Sequence, residues 1–345
     1  MSATSAPTAP LHAPQELRDL VIRVFQRLGA RTEDAATIAD LLVWSHLTGR
    51  DGHGLVRVPA YARMARSGEM DVRAVPAIVR ALPATLLVDG GAAPGAVAMM
   101  AATGWAVERA KANGGCFALV RRTTHTGAIG YYALKAAEAG LAALVIGSGK
   151  PIMAYHGARV PSVSTSPIAL AVPGGAGGPL LLDMAASVAA LGRLRQLAAR
   201  DAEIPEGWAL DADGRPTRRA QEAVIPLPLG GPKGSGLALM FEAMTSVLAG
   251  APVVAPSLAD PGGPGRGSSA MLMLMDVAAF SEPETFVGEV ETLRAAMKAL
   301  PRQEGFDDIF LPGERSRALA DQRAREGIPV PAALMAEVRA LAEDA

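Results

Sequence analysis

Cysteine is nearly absent: Cys116 alone in 345 residues excludes an intrachain disulfide framework and any zinc cluster built on thiolates. Aromatic residues make up only 4% of the chain, and lysine is scarce, with Lys111, Lys135, Lys150, Lys233 and Lys298 standing among 33 basic residues. An excess of one charge sign is missing too. A formal net charge of −1 and an isoelectric point near 6.5 leave no broad cationic footprint for nucleic acid or an anionic membrane. No apolar run reaches the ~20 residues that span a bilayer, and the opening residues lack a basic stretch followed by an apolar one. A cytoplasmic location is expected, with small molecules and copies of the same chain as partners. The standard motifs for a Walker phosphate loop, a dinucleotide-binding strand–turn–helix, a serine nucleophile elbow and a zinc-binding helix are all missing.

What is present is apolar and glycine-punctuated. A hydrophobic fraction of 50% and a mean hydropathy of +0.23 supply more than one domain's worth of core at this length. Helical spacing of apolar residues predicts helices over residues 16–28, 33–47 and 60–67 behind a disordered tail at residues 1–14. From residue 77 the rhythm turns α/β. Strands are predicted at 77–82, 85–88, 116–121, 141–146, 168–172, 180–183 and 270–275, with helices at 95–113, 128–139, 186–200, 237–249, 284–300, 313–326 and 331–342. The turn Pro173-Gly-Gly-Ala-Gly-Gly178 predicts a hairpin, hence a mixed sheet. Ser281-Glu-Pro-Glu284 reads as a capping box, and the Met-Leu-Met-Leu-Met run at 271–275 as a buried strand.

Chemistry concentrates in a few places. Pro228-Leu-Gly-Gly-Pro-Lys-Gly-Ser-Gly236 runs into an apolar helical stretch, and glycines, a helix N-terminus and Lys233 together suit a phosphate. Of the histidines, His12 falls in the tail and His46 inside a helix, both in structural roles. His53, in Arg50-Asp-Gly-His-Gly-Leu-Val-Arg57, has a carboxylate beside it and a guanidinium four residues on, a pattern suited to proton transfer next to a bound anion. His125, in Thr123-Thr-His-Thr-Gly127, follows a strand, where α/β proteins place ligands. His156, in Ala154-Tyr-His-Gly157, carries less signal. The histidines have no metal-ligand spacing, so no metal is expected. Proton transfer beside an anion matches the needs of hydride transfer from a nicotinamide.

Seven blocks in order give the chain a resemblance to the malate/L-lactate dehydrogenase family of NAD(P)-dependent oxidoreductases. This non-Rossmann group also contains ureidoglycolate, sulfolactate and diketogulonate enzymes and Δ1-piperideine-2-carboxylate reductases. The blocks are Asp51-Gly-His-Gly-Leu-Val-Arg57 with Tyr61; Thr124-His-Thr-Gly127 with Tyr131-Tyr132; Ser164-Thr-Ser-Pro167; Asp183-Met-Ala-Ala-Ser187; Ile204-Pro-Glu-Gly-Trp-Ala-Leu-Asp211; Gly230-Gly-Pro-Lys-Gly-Ser-Gly236; and Leu311-Pro-Gly-Glu314. The likeness spans residues 17 to 341. It implies a homodimer with an α/β cofactor domain on a mixed sheet (residues 76–299) and a helical domain made from residues 15–75 and 300–345.

The resemblance also implies roles. His53 or His125 would be the proton donor, and Arg57 would hold the substrate carboxylate. Asp183, Met184, Ala185, Lys233, Gly234, Pro312, Gly313 and Glu314 would contact NAD or NADP, with NADPH favoured for an imine substrate. The chain departs from the family pattern at Gly52, where serine is usual, at Ser164 and Ser166, where Gly and Asn are usual, and around Lys150 and His156. These departures place Gly52, Lys150, His156 and Ser166 in an altered substrate pocket, pointing to a 2-oxo acid or cyclic 2-imino acid with an unusual tail. The losses also allow a non-catalytic homologue that binds a carboxylate, but keeping His53, Arg57, His125 and Lys233 together favours the enzyme.

Overall fold

The computed structural model describes residues 9–261 and 267–343; residues 1–8 of the expected tail and part of the glycine- and proline-rich loop lie outside them. The chain divides into two compact units, the smaller from residues 1–73 and 314–345 and the larger from residues 74–313. The second break follows Gly313, not residue 299 as expected. The reason is local: Leu181 donates its amide to the Pro312 carbonyl at 3.3 Å, which ties residues 312–313 to the larger unit's sheet edge.

The smaller unit contains β1 (Leu11–His12), α1 (Pro14–Arg27), α2 (Thr32–Leu47) and α3 (Val58–Ser67), and later α10 (Glu314–Glu326), β14 (Ile328–Pro329) and α11 (Ala332–Glu343). In α1, Leu17, Leu20, Val21, Val24 and Phe25 are buried at the i, i+3, i+4, i+7 positions of one helical face. That face packs on α2 and α11. Tyr61 of α3 meets Phe25 edge-on, ring centroids 6.5 Å apart. The disordered-tail expectation needs correction over its second half. Leu11 pairs with Pro329 and His12 with Ile328, so this segment finds its hydrogen bonds in β14.

The larger unit runs through β2 (Ala77–Leu82), β3 (Thr85–Asp89), α4 (Gly95–Asn113), β4 (Gly115–Thr123), α5 (Gly130–Glu138) and β5 (Leu141–Ser148). Two short strands, β6 (Met153–Ala154) and β7 (Pro161–Val163), precede β8 (Ile168–Val172), β9 (Leu180–Met184) and α6 (Leu191–Ala198). Then come β10 (Ala209–Leu210), β11 (Pro216–Thr217), β12 (Ile225–Pro226), α7 (Pro232–Glu242), α8 (Val254–Ala259), β13 (Ser268–Asp276) and α9 (Pro283–Lys298). Seven strands form one sheet in the order β2-β3-β4-β13-β5-β8-β9. Only β3 and β4 run parallel, so the sheet is mixed. The methionine run is the central strand: Met271 pairs with Leu119 on one side and Ile146 on the other. Among the described residues, no helix is long and apolar enough to cross a membrane.

Three helix expectations shift. Residues 186–190 are not helical, because Ser187 bridges to Pro228 and α6 begins only at Leu191. Helix α7 starts at Pro232, five residues before the predicted start, so Lys233 and Gly234 belong to its first turn, and it passes into a π-helical turn at Ala243–Val247. At α9 the N-cap is Glu282, with no side-chain capping bond. Pro283 at the first position presets the helical φ where the capping box was expected.

Candidate active site

In the smaller unit, α2 ends at Leu47 and the chain makes two 3-10 turns, Asp51–His53 and Leu55–Arg57, before α3. Leu55 is fully buried and anchors the loop, while Arg57 turns back to donate its Nε–H to the Gly52 carbonyl at 2.7 Å. Gly52 therefore serves the loop through its backbone. His53 and Arg57 share one short, self-bonded segment. Burial pushes the His53 imidazole down to about 4, with the positive charges of Arg57 and Arg50 adding to the effect. Arg50 lies over the Trp44 ring at 5.0 Å from its centroid. Burial raises the Tyr61 phenol, against the opposing pull of Arg57.

In the larger unit, His125 follows the end of β4 and is half-buried. Thr123 and Thr124 donate their hydroxyls to the Ala93 carbonyl, each at 3.1 Å, and the Gly95 amide donates to Thr124 Oγ1. A Cβ on Gly95 would stand 2.2 Å from the His125 carbonyl oxygen, so only glycine lets α4 start this close. Tyr132 of α5 closes the loop by donating to the Thr126 carbonyl at 2.6 Å. Asp183 joins the same region: its carboxylate lies against Gly130, where an added Cβ would be 2.6 Å from Oδ2.

Asp183 and Met184 end the edge strand β9, paired with Ala169 and Ile168, and Ala185 follows. Gly313, at φ +86°, packs against Leu181 of that strand, so Pro312 and Gly313 accompany the Asp183 segment. Glu314 opens α10, on the smaller unit's side of the break.

The glycine-rich loop departs from its expected design. Gly230 and Gly231 both take positive φ, but the amides of Gly231, Lys233 and Gly234 already donate to Pro228, Gly230 and Leu229 carbonyls. The backbone cradle is thus occupied by the loop itself. Lys233, exposed on the first turn, is what the loop offers an anion. A Cβ on Gly234 would stand 2.4 Å from Ala186 O and 2.6 Å from Leu229 N, so this glycine serves close packing within the chain.

Of the residues expected in the substrate pocket, His156 and Ser166 both meet the first turns of α7. His156 is exposed and borders the glycine loop: an added Cβ on Gly231 would be 3.1 Å from its Nδ1, and its amide donates to Ser235 Oγ. Lys150 is exposed just after β5. Ser166 is fully buried, and its hydroxyl donates to the Ser164 and Ala238 carbonyls at 3.3 and 3.5 Å. Its φ of +37° belongs to the left-handed region, where a residue other than glycine is strained.

Sequence reasoning missed three supports. Arg323 of α10 donates to Asp51 Oδ1 at 2.7 Å and to the His46 carbonyl. Arg50 adds its field to His53. Buried Glu242 accepts the Ser148 hydroxyl at 2.5 Å and the Val253 and Val254 amides at 2.8 and 2.9 Å, capping α8. Arg50 stood within the histidine motif and was open to inspection, but Arg323 lies 272 residues from Asp51 and leaves no local signal. Among the described residues, no group of three or more His, Cys, Asp or Glu side chains is arranged to hold a metal.

The chain is similar to known proteins over nearly its whole length. The family model described as malate/L-lactate dehydrogenase matches residues 12–339. The chain is 32% identical over 337 residues to a malate dehydrogenase of Pyrococcus abyssi, covering 95% of this chain and 92% of that protein. It is 33% identical over 322 residues to a Δ1-pyrroline-2-carboxylate reductase of Ancylobacter novellus, covering 91% and 92%. The solved sulfolactate dehydrogenase of Methanocaldococcus jannaschii superposes with a TM-score of 0.88 at 30% identity, covering 97% of each chain.

Proposed function

Because the chain belongs to the malate/L-lactate dehydrogenase family of NAD(P)-dependent oxidoreductases, we propose that it interconverts a 2-oxo acid or cyclic 2-imino acid with the corresponding 2-hydroxy or 2-amino acid. The observation that carries this reading is the 51–57 loop. One histidine held neutral by burial and two cations stands in the same self-bonded turn as a guanidinium of the right shape for a carboxylate.

The larger unit's residues fit a dinucleotide. Asp183, half-buried at the sheet edge, is an acceptor suited to ribose hydroxyls, and exposed Lys233 is a cation suited to phosphate. When bound, the nicotinamide supplies or accepts the hydride. Arg57 orients the substrate through its carboxylate. His53, neutral in the free protein, takes a proton from the hydroxyl or amine in the oxidative direction and returns it in the reductive one. A carboxylate seated on Arg57 cancels part of the positive field that depresses His53, so substrate binding itself raises the proton affinity of this histidine. His125 lies in a loop fastened by threonine and tyrosine hydroxyls on backbone carbonyls.

The α7 helix and the turn after it leave Leu237, Met240, Met244 and Val247 between 38% and 56% exposed at helical spacing. A second copy of the chain packing on this stripe gives the homodimer that the reading includes. Light scattering of wild type and Met240→Lys tests it, the variant expected as monomer.

A panel of 2-oxo and cyclic 2-imino acids, each assayed with NADH and NADPH by reduced-nicotinamide absorbance, tests the reaction. Turnover of acids and failure of their amides is expected, and Arg57→Lys should impair it despite its kept charge. Equal turnover of acid and amide overturns the role of Arg57. A protein that binds the acids but oxidises neither cofactor across the panel supports the non-catalytic alternative.

A further inference from the structure

Helix α10 contains no fully buried side chain. Its half-buried face is Ser316, Leu319, Ala320 and Arg323, so the stripe that packs on α2 ends in a charge. Leu319 occupies the space beside Gly49, where φ is +76° and an added Cβ would lie 2.7 Å from Cδ2. One turn on, the Arg323 side chain is 14% exposed and donates through Nη1 to both Asp51 Oδ1 and the His46 carbonyl. The His46 ring in turn lies flush against Gly54, where an added Cβ would stand 1.6 Å from Cδ2. Arg57 fixes Gly52 from the other side. Asp51, Gly52 and Gly54 are thus each held, and His53 stands among them.

We propose that Arg323 is a positioning residue: its bridge between Asp51 and the His46 carbonyl sets the geometry of the loop that presents His53 and Arg57 to substrate. The inference rests on the reading of His53 and Arg57 given above. An ion pair serving stability alone would tether α10 to any part of α2. This one ends two residues from the proton-transferring imidazole, and a misplacement of about 1 Å at a reacting group costs roughly a hundredfold in rate.

Arg323→Met keeps the apolar stem and removes the fork. It is expected to lower kcat about 10- to 100-fold, with a smaller rise in KM, and to speed hydrogen exchange at the amides of residues 51–57. Arg323→Lys, which keeps one donor, should recover part of the lost kcat. Asp51→Asn cuts the same bridge from its other end and serves if Arg323→Met fails to fold; the two should combine with far less than additive loss. Wild-type kcat and unchanged loop exchange in folded Arg323→Met, or in Asp51→Asn, overturn the proposal. So does a lowered melting temperature with kcat intact, the signature of a stability role alone. His53→Ala separates the two readings. If it stays active, the parent reading fails; if it is inactive while Arg323→Met turns over normally, only the positioning role fails.

Discussion

The loop at residues 51–57 is held by charge, with Arg323 on Asp51, Arg57 on the Gly52 carbonyl and Arg50 over Trp44. In the loop at residues 123–130 threonine and tyrosine hydroxyls donate to carbonyls, Gly95 is pressed against the His125 backbone, and the Asp183 carboxylate lies against Gly130. Both carry a histidine. At the first loop the positive charges of Arg57 and Arg50 add to burial in setting the proton affinity of His53 and respond to a bound anion, whereas the hydroxyl bonds of the second fix the backbone that carries His125.

The strongest way to break this contrast is to exchange the histidines' roles. His53→Ala should lower turnover by roughly two to four decades while cofactor titration by fluorescence stays unchanged, the usual size of a lost general acid or base. His125→Ala should cost less; the reverse ranking would transfer proton transfer to the loop at residues 123–130.

A second comparison lies within the glycine-rich loop of the larger unit. Gly234→Val drives a side chain into the Ala186 carbonyl, so a melting temperature lower by about 5 °C or more is expected. Lys233→Met should melt like wild type yet weaken cofactor binding about tenfold, with reduced salt sensitivity. Equal melting temperatures for both variants would return Gly234 to a ligand-facing role.

The charged loop also predicts an acid response. His53 binds its proton at about 4 in the folded protein and near 6.5 when unfolded, so between these values the unfolded chain holds more protons. Stability must therefore rise with pH across that window and fall as the solution is acidified. Denaturant midpoints at pH 7 and 4.5 measure it, and His53→Asn should flatten that part of the profile. The smallest effect concerns Ser166, strained at φ +37°. Ser166→Asn should add on the order of 0.5 kcal/mol, about a degree in melting temperature, because asparagine tolerates the left-handed region better.

Strands and long helices were legible in the sequence wherever one period ran unbroken, as in α1 with its stripe from Leu17 to Phe25 and in the β8–β9 hairpin around its glycine turn. Boundaries failed where tertiary hydrogen bonds compete with propensity: Ser187 bridging Pro228 delayed α6, and the turn bonds of Gly231 and Lys233 started α7 early. His53 and Arg57 were legible because they lie four residues apart in one loop. Arg323 was not, because a guanidinium among arginines in a polar helix acquires meaning only when folding brings Asp51 to it. The strained backbone at Ser166 and the two carbonyls its hydroxyl meets were not legible, because a backbone angle and a contact with Ala238 leave no local pattern in the sequence.

Strand β13 lies between β4 and β5, antiparallel to both, although its residues follow theirs by more than a hundred positions. During synthesis the two strands have no partner on their facing edges until residues 268–276 emerge. The sheet cannot zip up from its N-terminal end; it must remain open at its middle through most of translation, with two apolar edges exposed at once. A polypeptide cut short before residue 268 should consequently aggregate instead of forming a smaller soluble domain, and refolding in vitro should be slow, in keeping with a long-range pairing that has to close last.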